Sequence, residues 1–225
     1  MVNGIETVLF DLDGTLADTA PDLSDSLNRL LLEQNRQPLP HETIRPFVSH
    51  GGIVMICMAF DITEDHAELP QLRTRFLEIY RSCLACKTRL FEGMDQVLTR
   101  LESAGITWGV VTNKPNWLTR PLLQSLNIEH RAGCIVSGDT VAHSKPHPAP
   151  MLHACELLDC RPATTLYIGD ARRDIEAGHN ACMHTLVAQY GYLGKNDIPE
   201  SWGADGMVNT PGEILEWLDI TRETG

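Results

Sequence analysis

Short apolar runs alternate with stretches of helical periodicity along most of the chain. The apolar runs that predict strands are residues 7–10, 108–111, 134–136, 166–169, 185–188 and 206–208. Helical patterns occupy residues 94–104, 115–126, 148–158 and 171–181. Strands this apolar are typical of a parallel sheet that is covered on both faces. The alternation therefore predicts a doubly wound α/β domain.

One connection in this series is much longer than the others. The first run ends at Asp11, and the next strand does not begin until about Ile106. Apolar residues in 22–35 and again in 69–84 recur with the period of a helix. We therefore expect an all-helical insertion after strand 1, spanning roughly 21–84. The predicted division is a core domain of residues 1–18 and 88–225 and a helical cap domain of residues 19–87.

Polar residues recur at the ends of the predicted strands. Asp11, Thr112 and Asp170 each follow an apolar run. Ligands of open α/β sheets bind in the crevice at that edge. Asp11 and Asp13 leave their strand on the same side, because alternate residues of an extended chain share a face. Such a pair suits Mg²⁺, and it also suits a nucleophile with a partner acting as general acid and base.

The individual residues also have purely structural interpretations. Thr112 and Asn113 could cap the next helix, which Pro115 opens. Lys145 could be a solvated loop lysine, and Asp174 could be a first-turn acid favoured by the helix dipole.

Taken together, four segments resemble the four motifs of the haloacid dehalogenase superfamily, in the family's order. They are Asp11-x-Asp13-Gly14-Thr15, Thr112-Asn113, Lys145-Pro146, and Gly169-Asp170 followed by Asp174. The resemblance covers nearly the whole chain. It implies a Rossmann-like parallel-sheet core with a helical C1 cap, the type that this family inserts after its first motif.

The resemblance also implies the catalytic roles. Asp11 would attack phosphorus, and Asp13 would protonate the leaving alcohol and then activate water. Mg²⁺ would be held by the side chains of Asp11 and Asp170 and by the backbone carbonyl of Asp13. Asp174 would orient water bound to the metal.

The same resemblance assigns the phosphate-binding groups. Thr112, the backbone of Asn113 and Lys145 would bind phosphoryl oxygens around Asp11. Positioning and charge neutralisation are what phosphoryl transfer mainly requires. Lys145 would also offset the repulsion between Asp11 and Asp170.

The cap should determine specificity, because the core motifs handle only the phosphoryl group. The segment that suggests substrate contact contains Arg45, Ser49, His50, Gly51 and Gly52. A Gly-Gly pair at a helix start exposes backbone N–H groups, and an arginine can clamp an anion. An ordinary helix–turn–helix join with a surface arginine is the alternative. Arg172 and Arg173, beside motif four, suggest a solvated helix face.

Within the superfamily the chain resembles the phosphoglycolate phosphatase group, and more closely the bacterial phosphatases of N-acetylmuramic acid 6-phosphate, which act in cell-wall recycling. This finer resemblance is carried by residues 49–52, 90–94, 108–115, 189–192 and 202–205. A phosphomutase on the same scaffold remains an alternative. A dehalogenase would not need Asp13, and a non-catalytic binding protein would be expected to have lost at least one of Asp11, Asp13, Lys145 and Asp170.

The composition of the chain limits the kinds of molecule that it is expected to bind. The net charge of −12 argues against nucleic acid, which requires clustered Lys and Arg, but not against a small phosphorylated metabolite. The N-terminal residues lack a secretory pattern and the apolar runs are too short for a membrane span, so we expect a cytoplasmic protein, monomeric or homodimeric. We expect the seven cysteines to be buried, reduced thiols. The expected cofactor is Mg²⁺. The lone Cys83-x-x-Cys86 pair does not suggest zinc.

Overall fold

The computed structural model describes residues 4–220, which form β-strands and helices. The strands are β1 Thr7–Phe10, β2 Ala17–Asp18, β3 Arg89–Leu90, β4 Thr107–Val111, β5 Ile135–Val136, β6 Thr165–Gly169, β7 His184–Ala188 and β8 Gly206–Val208. The helices are α1 Ala20–Glu33, α2 His41–Ile44, α3 Gly52–Phe60, α4 Leu69–Ser82, α5 Met94–Ser103, α6 Asn116–Ser125, α7 Ala149–Leu158, α8 Arg172–Asn180 and α9 Glu213–Trp217. Short 3₁₀ segments occupy Arg45–His50, Pro162–Thr164 and Pro199–Ser201.

Six strands form one parallel sheet in the order β5-β4-β1-β6-β7-β8. The chain builds outward from β1 to β4 and β5, and then crosses to β6, β7 and β8 on the other side. The carboxyl ends of β1, β4 and β6 therefore meet at the point where the strand order reverses. This arrangement confirms the predicted doubly wound α/β core.

The apolar character of the central strands follows from their burial on both faces. All four residues of β1 are buried, and one face packs with β4, β6 and α5 in a continuous core. Phe10 and Trp108 meet edge to face within it, with ring centroids 6.4 Å apart. Leu9 lies on the opposite face of the sheet with Tyr167 and Met151. After the buried Thr7 at its start, the strand carries only apolar side chains, and the first charged group comes directly after its end.

The long insertion is helical, as predicted. Helices α1 to α4 all lie between β2 and β3, and their apolar stripes form a hydrophobic cluster distinct from that around the sheet. Strands β2 and β3 pair antiparallel at the base of the insertion, an element that the helical pattern did not predict. The boundaries at 18/19 and 87/88 stay a prediction, and residues 1–3 and 221–225 of the proposed core domain lie outside the described residues.

The cysteines are all unpaired thiols, and Cys86 and Cys182 are exposed rather than buried. No helix among residues 4–220 combines the length and apolar character needed to cross a bilayer.

Candidate active site

Three buried carboxyl groups meet at the carboxyl ends of β1 and β6. Asp11 follows β1, and Asp170 follows β6 and precedes α8, which carries Asp174 in its first turn. One oxygen from each lies within 4.8 Å of the other two. Three such groups in a dry site repel one another unless cations compensate them. The cluster is therefore a natural cation site.

The buried ammonium of Lys145 supplies part of that compensation. Its Nζ lies 2.8 Å from Asp11 Oδ1 and 2.7 Å from Asp174 Oδ1, and the three side chains are almost fully buried. Lys145 Nζ also donates to the Val111 carbonyl and to the Tyr167 hydroxyl. One lysine thus links the ends of β1, β4 and β6.

The remaining charge is visible in the pKa values of the carboxyl groups. Burial, together with the negative charges of Asp174 and Asp11, raises the pKa of Asp170 to about 7. Burial also raises the pKa of Asp174, although Lys145 and Arg173 act against this shift. Lys145 and Arg173 together do not balance the charge of three acids, so the site has room electrostatically for a further cation.

The donor set fits a divalent metal. Asp170 Oδ1 is buried and has no hydrogen-bond partner among residues 4–220, whereas Asp170 Oδ2 accepts from Ser49 Oγ at 2.6 Å and from the Tyr192 amide at 2.8 Å. Both oxygens of Asp174 are occupied, one by Lys145 and the other by the Ala171 amide. Hard cations such as Mg²⁺ take carboxylate oxygens as ligands. The geometry therefore offers Asp170 Oδ1 to a metal directly and suits Asp174 to a supporting position.

Two glycines make this cluster possible. Gly14 has a φ of +85°, and a Cβ there would lie 2.1 Å from Asp170 Oδ2. A Cβ on Gly169 would lie 2.3 Å from the Cβ of Asp174. The backbone at motifs one and four can approach the carboxylates only because these positions lack a side chain.

Asp13 is oriented by partners that the sequence did not reveal. Lys114 Nζ lies 2.8 and 3.1 Å from its two carboxylate oxygens, and Thr19 Oγ1 donates to Asp13 Oδ1 at 2.5 Å. Burial alone would lower the pKa of Lys114, but Asp13 and Tyr80 outweigh it and raise that pKa above its ordinary value. Lys114 also lies over the Tyr80 ring, 4.7 Å from its centroid.

Motif two has a structural task besides its place in the site. The Asn113 side chain accepts from the Lys145 amide and donates to the Lys145 carbonyl, each at 3.0 Å. Asn113 thereby fixes the backbone from which the buried lysine extends. Thr112 Oγ1 accepts from the Lys114 amide at 3.2 Å. Both residues also line a cavity that lies between this cluster and helices of the insertion.

A cavity of about 230 Å³ lies between this cluster and the cap helices. Of the predicted cap residues, Ser49, His50, Gly51 and Gly52 line it. Arg45 is not among its lining residues. Its guanidinium donates to the Gly191 carbonyl at 2.9 Å and lies over the Tyr192 ring, so it joins the cap to the loop after β7.

Three cavity-lining basic residues were not predicted: Lys114, Arg73 and Arg173. Arg172 does lie on an exposed helix face, where it pairs with Glu176. The same interpretation is wrong for Arg173, which is only partly accessible, lines the cavity and has a buried Nε without a hydrogen-bond partner among residues 4–220. Helical periodicity alone could have separated the two arginines, because Arg173 lies four positions before the buried Ala177, whereas Arg172 lies four positions before Glu176.

Three features together define a class of hydrolases. The sheet is doubly wound, two acids follow β1 while a lysine and two further acids lie beside β6, and a helical segment is inserted between β2 and β3. The profile of the haloacid dehalogenase-like hydrolases matches residues 8–188. The chain belongs to this family. Within the family it is a phosphoric monoester hydrolase, as its relatives indicate.

Relatives with two different named substrates are equally similar to the chain. It is 40% identical to an N-acetylmuramic acid 6-phosphate phosphatase of Pseudomonas aeruginosa, over 96% of this chain and 95% of the relative. It is also 40% identical to a phosphoglycolate phosphatase of Xylella fastidiosa, over 97% and 94% respectively. A crystal structure described as a predicted phosphoglycolate phosphatase from Haemophilus somnus superposes with a TM-score of 0.85 at 27% identity, covering 96% of this chain and 99% of that one.

Proposed function

We propose that the protein is a Mg²⁺-dependent phosphatase that hydrolyses N-acetylmuramic acid 6-phosphate through a phosphoryl group carried on Asp11. The observation that carries the chemistry is the position of the Asp11 carboxylate. It is buried at the end of β1, beside Lys145 and Asp170, and it lines the cavity. A buried carboxylate beside an ammonium group at a strand end is suited to attack phosphorus.

The reaction has two displacements. In the first, an Asp11 oxygen forms a bond to phosphorus, the bond from phosphorus to the sugar oxygen breaks, and Asp13 gives its proton to that oxygen. In the second, Asp13 takes a proton from water while the water oxygen bonds to phosphorus and the bond to Asp11 breaks. Inorganic phosphate leaves, and both acids return to their starting states.

The metal would be held by the side chains of Asp11 and Asp170 and by the backbone carbonyl of Asp13. When bound, Mg²⁺ supplies positive charge that offsets the negative charge of the phosphoryl group. Asp174 holds Lys145 in place, and Lys145, Thr112 and the Asn113 backbone bind the phosphoryl oxygens.

The ion pair between Asp13 and Lys114 must open during this cycle. Lys114 Nζ lies within hydrogen-bond distance of both carboxylate oxygens of Asp13, whereas the first displacement needs a proton on that carboxyl group. An entering phosphoryl group competes for Lys114, because it brings negative charge to the same cavity. Lys114 would then bind the substrate and release Asp13 to act as an acid.

The cavity favours the sugar phosphate over phosphoglycolate. Its cap side is lined mainly by apolar side chains, namely Leu23, Val48, Ile53, Met55, Phe76 and Leu77, and Leu118 of α6 adds to them from the core. A two-carbon acid has little apolar surface to cover these groups. A pyranose with acetyl and lactyl methyl groups has the surface that such a wall binds.

The test compares kcat/KM of the purified protein for N-acetylmuramic acid 6-phosphate and phosphoglycolate, with Mg²⁺, with EDTA, and after Mg²⁺ is restored. We expect a clear preference for the sugar phosphate and activity only with Mg²⁺. Asp11→Asn should reduce kcat by at least about a thousandfold, as expected when a nucleophile is lost. The matched control is Asp61→Asn, the same change at an exposed helix C-cap with a φ of +53° that Asn tolerates.

Each part of the proposal has its own contradicting result. Normal turnover by Asp11→Asn would exclude Asp11 as the nucleophile. Full activity in EDTA would exclude the metal requirement. Equal or better kcat/KM for phosphoglycolate would reject the sugar phosphate and leave the phosphatase chemistry intact.

A further inference from the structure

Arg73 differs from the other arginines of α4, of which Arg75 is ion-paired and Arg81 lies over the Trp117 ring. Arg73 lines the cavity that Asp11 and Asp13 also line, it is exposed, and it has no hydrogen-bond or ion-pair partner among residues 4–220. Arg75, two positions on, makes a bidentate pair with Glu33 and a further contact with Glu78. Arg73 is thus a cap cation whose charge the folded chain leaves unmatched.

The other charges of the cavity lining are accounted for. Lys114 is paired with Asp13, and Arg173 adjoins the acidic cluster, whose charges raise its pKa. Apart from the aspartates at the end of β1, the charged residues that line the cavity are basic, although the chain as a whole carries −12. A surplus of positive charge in an acidic protein indicates that the ligand is an anion.

The position of Arg73 separates it from the phosphoryl site. The phosphoryl group is served at the strand ends by Lys145 and motif two, whereas Arg73 projects from α4 beside the apolar side chains of Phe76 and Leu77. An anion bound there belongs to the part of the substrate that leaves. A single arginine matches a singly charged carboxylate, to which its two parallel N–H groups can donate.

We infer that Arg73 recognises a carboxylate on the leaving alcohol, so that the enzyme selects phosphomonoesters that carry an acidic group. The inference rests on the proposed phosphatase function and makes its substrate class narrower. It applies to N-acetylmuramic acid 6-phosphate, whose lactyl ether ends in a carboxylate. It excludes sugar phosphates that lack this group, whatever their size.

The experiment uses two sugars that differ in the lactyl ether, N-acetylmuramic acid 6-phosphate and N-acetylglucosamine 6-phosphate. The measured quantity is the ratio of their kcat/KM values in the wild type, in Arg73→Gln and in Arg75→Gln. A charge-assisted hydrogen-bonded pair corresponds to a factor of about 10 to 100 in affinity. We expect Arg73→Gln to reduce the ratio by that factor, and Arg75→Gln, which removes the same charge from the same helix outside the cavity, to leave it within about twofold.

An unchanged ratio in Arg73→Gln overturns the inference, as does a wild-type ratio near one. A second measurement separates this failure from that of the proposed function. Calorimetric binding of both sugars to Asp11→Asn, with and without Arg73→Gln, does not depend on turnover. If the wild type hydrolyses neither sugar, the proposed function fails. The inference about Arg73 is still decided by binding: it holds if Arg73→Gln abolishes the preference for the sugar with the carboxylate, and it fails if that preference is retained.

Discussion

Replacing Lys145 by methionine would remove the charge that holds the acidic cluster together. The substitution keeps the length and most of the volume of the side chain, so the core around it stays filled. The ammonium lies 2.8 Å from Asp11 and 2.7 Å from Asp174, and the side chains of these residues are 0%, 4% and 0% exposed. Without it, the two carboxylates face each other with no positive charge at that position.

The expected loss of stability follows from this burial. Removing one partner of a buried ion pair costs about 3–5 kcal/mol, because the remaining charge stays desolvated. In a chain of this size each kcal/mol lowers Tm by about 2–4 °C, so the variant should melt roughly 6–20 °C below the wild type. Adding Asp174→Asn to Lys145→Met removes one of the stranded acids and should recover part of that loss.

The assay is thermal unfolding followed by circular dichroism in EDTA, for the wild type, both single variants and the double variant. Lys87→Met is the matched control, because Lys87 pairs with Asp25 on the surface at 61% and 52% exposure, where an ion pair contributes little to stability. The reasoning is refuted if Lys145→Met melts within a few degrees of the control, or if Asp174→Asn lowers the stability of Lys145→Met further. Activity with Mg²⁺ should fall at least about a hundredfold, since the proposed donor to the phosphoryl group is lost.

Two further predictions concern Asp170. Its folded pKa of about 7 lies above the ordinary 3.8, so the folded state holds a proton that the unfolded state has released. The free energy of unfolding in EDTA should therefore fall as pH rises from 5 to 7.5, by at most about 1.4 kcal/mol per pH unit. Mg²⁺ should raise Tm more at pH 8 than at pH 6. A Tm in EDTA that rises with pH over this range would contradict the prediction. Gly191→Ala would place a Cβ 2.3 Å from the Asp170 Cβ and 2.5 Å from the Gly14 carbonyl oxygen, so it should lower both Tm and kcat. Gly212→Ala, where the nearest atom is 3.9 Å away, should change neither, and equal effects of the two substitutions would reject the argument.

The central fold could be predicted because burial and periodicity act locally. Strands such as β1 and β6 are mainly apolar after an initial threonine, and helices such as α1 carry one apolar stripe, so each is visible in a short window of sequence. The ribbon of β2 and β3 is not visible in this way. Each strand has two residues, and each forms only because the other, about seventy positions away, returns to the base of the insertion.

The residues of the site likewise fall into some that a local sequence pattern predicts and others that it does not. The positions of Asp11 and Asp170 follow from the ends of strands and could be read in order along the chain. The pairing of Lys114 with Asp13 spans 101 positions and depends on how β4 approaches β1, which no local pattern encodes. Arg73 belongs to an amphipathic helix whose charged residues look alike until the cap is placed over the cavity.

The cap and the acidic cluster are connected through Asp170. Its Oδ2 accepts one hydrogen bond from Ser49 of the cap and one from the amide of Tyr192, whose ring in turn lies against the cap residue Arg45. Both bonds stabilise the ionised form of a carboxyl group whose burial favours the protonated form. Moving the cap away would remove the Ser49 bond, and the ionised form that a metal requires would become less favourable. Ser49, which the sequence analysis assigned to substrate contact, lines the cavity and also donates its hydroxyl to this carboxylate. We therefore expect the position of the cap and the affinity for a metal to vary together.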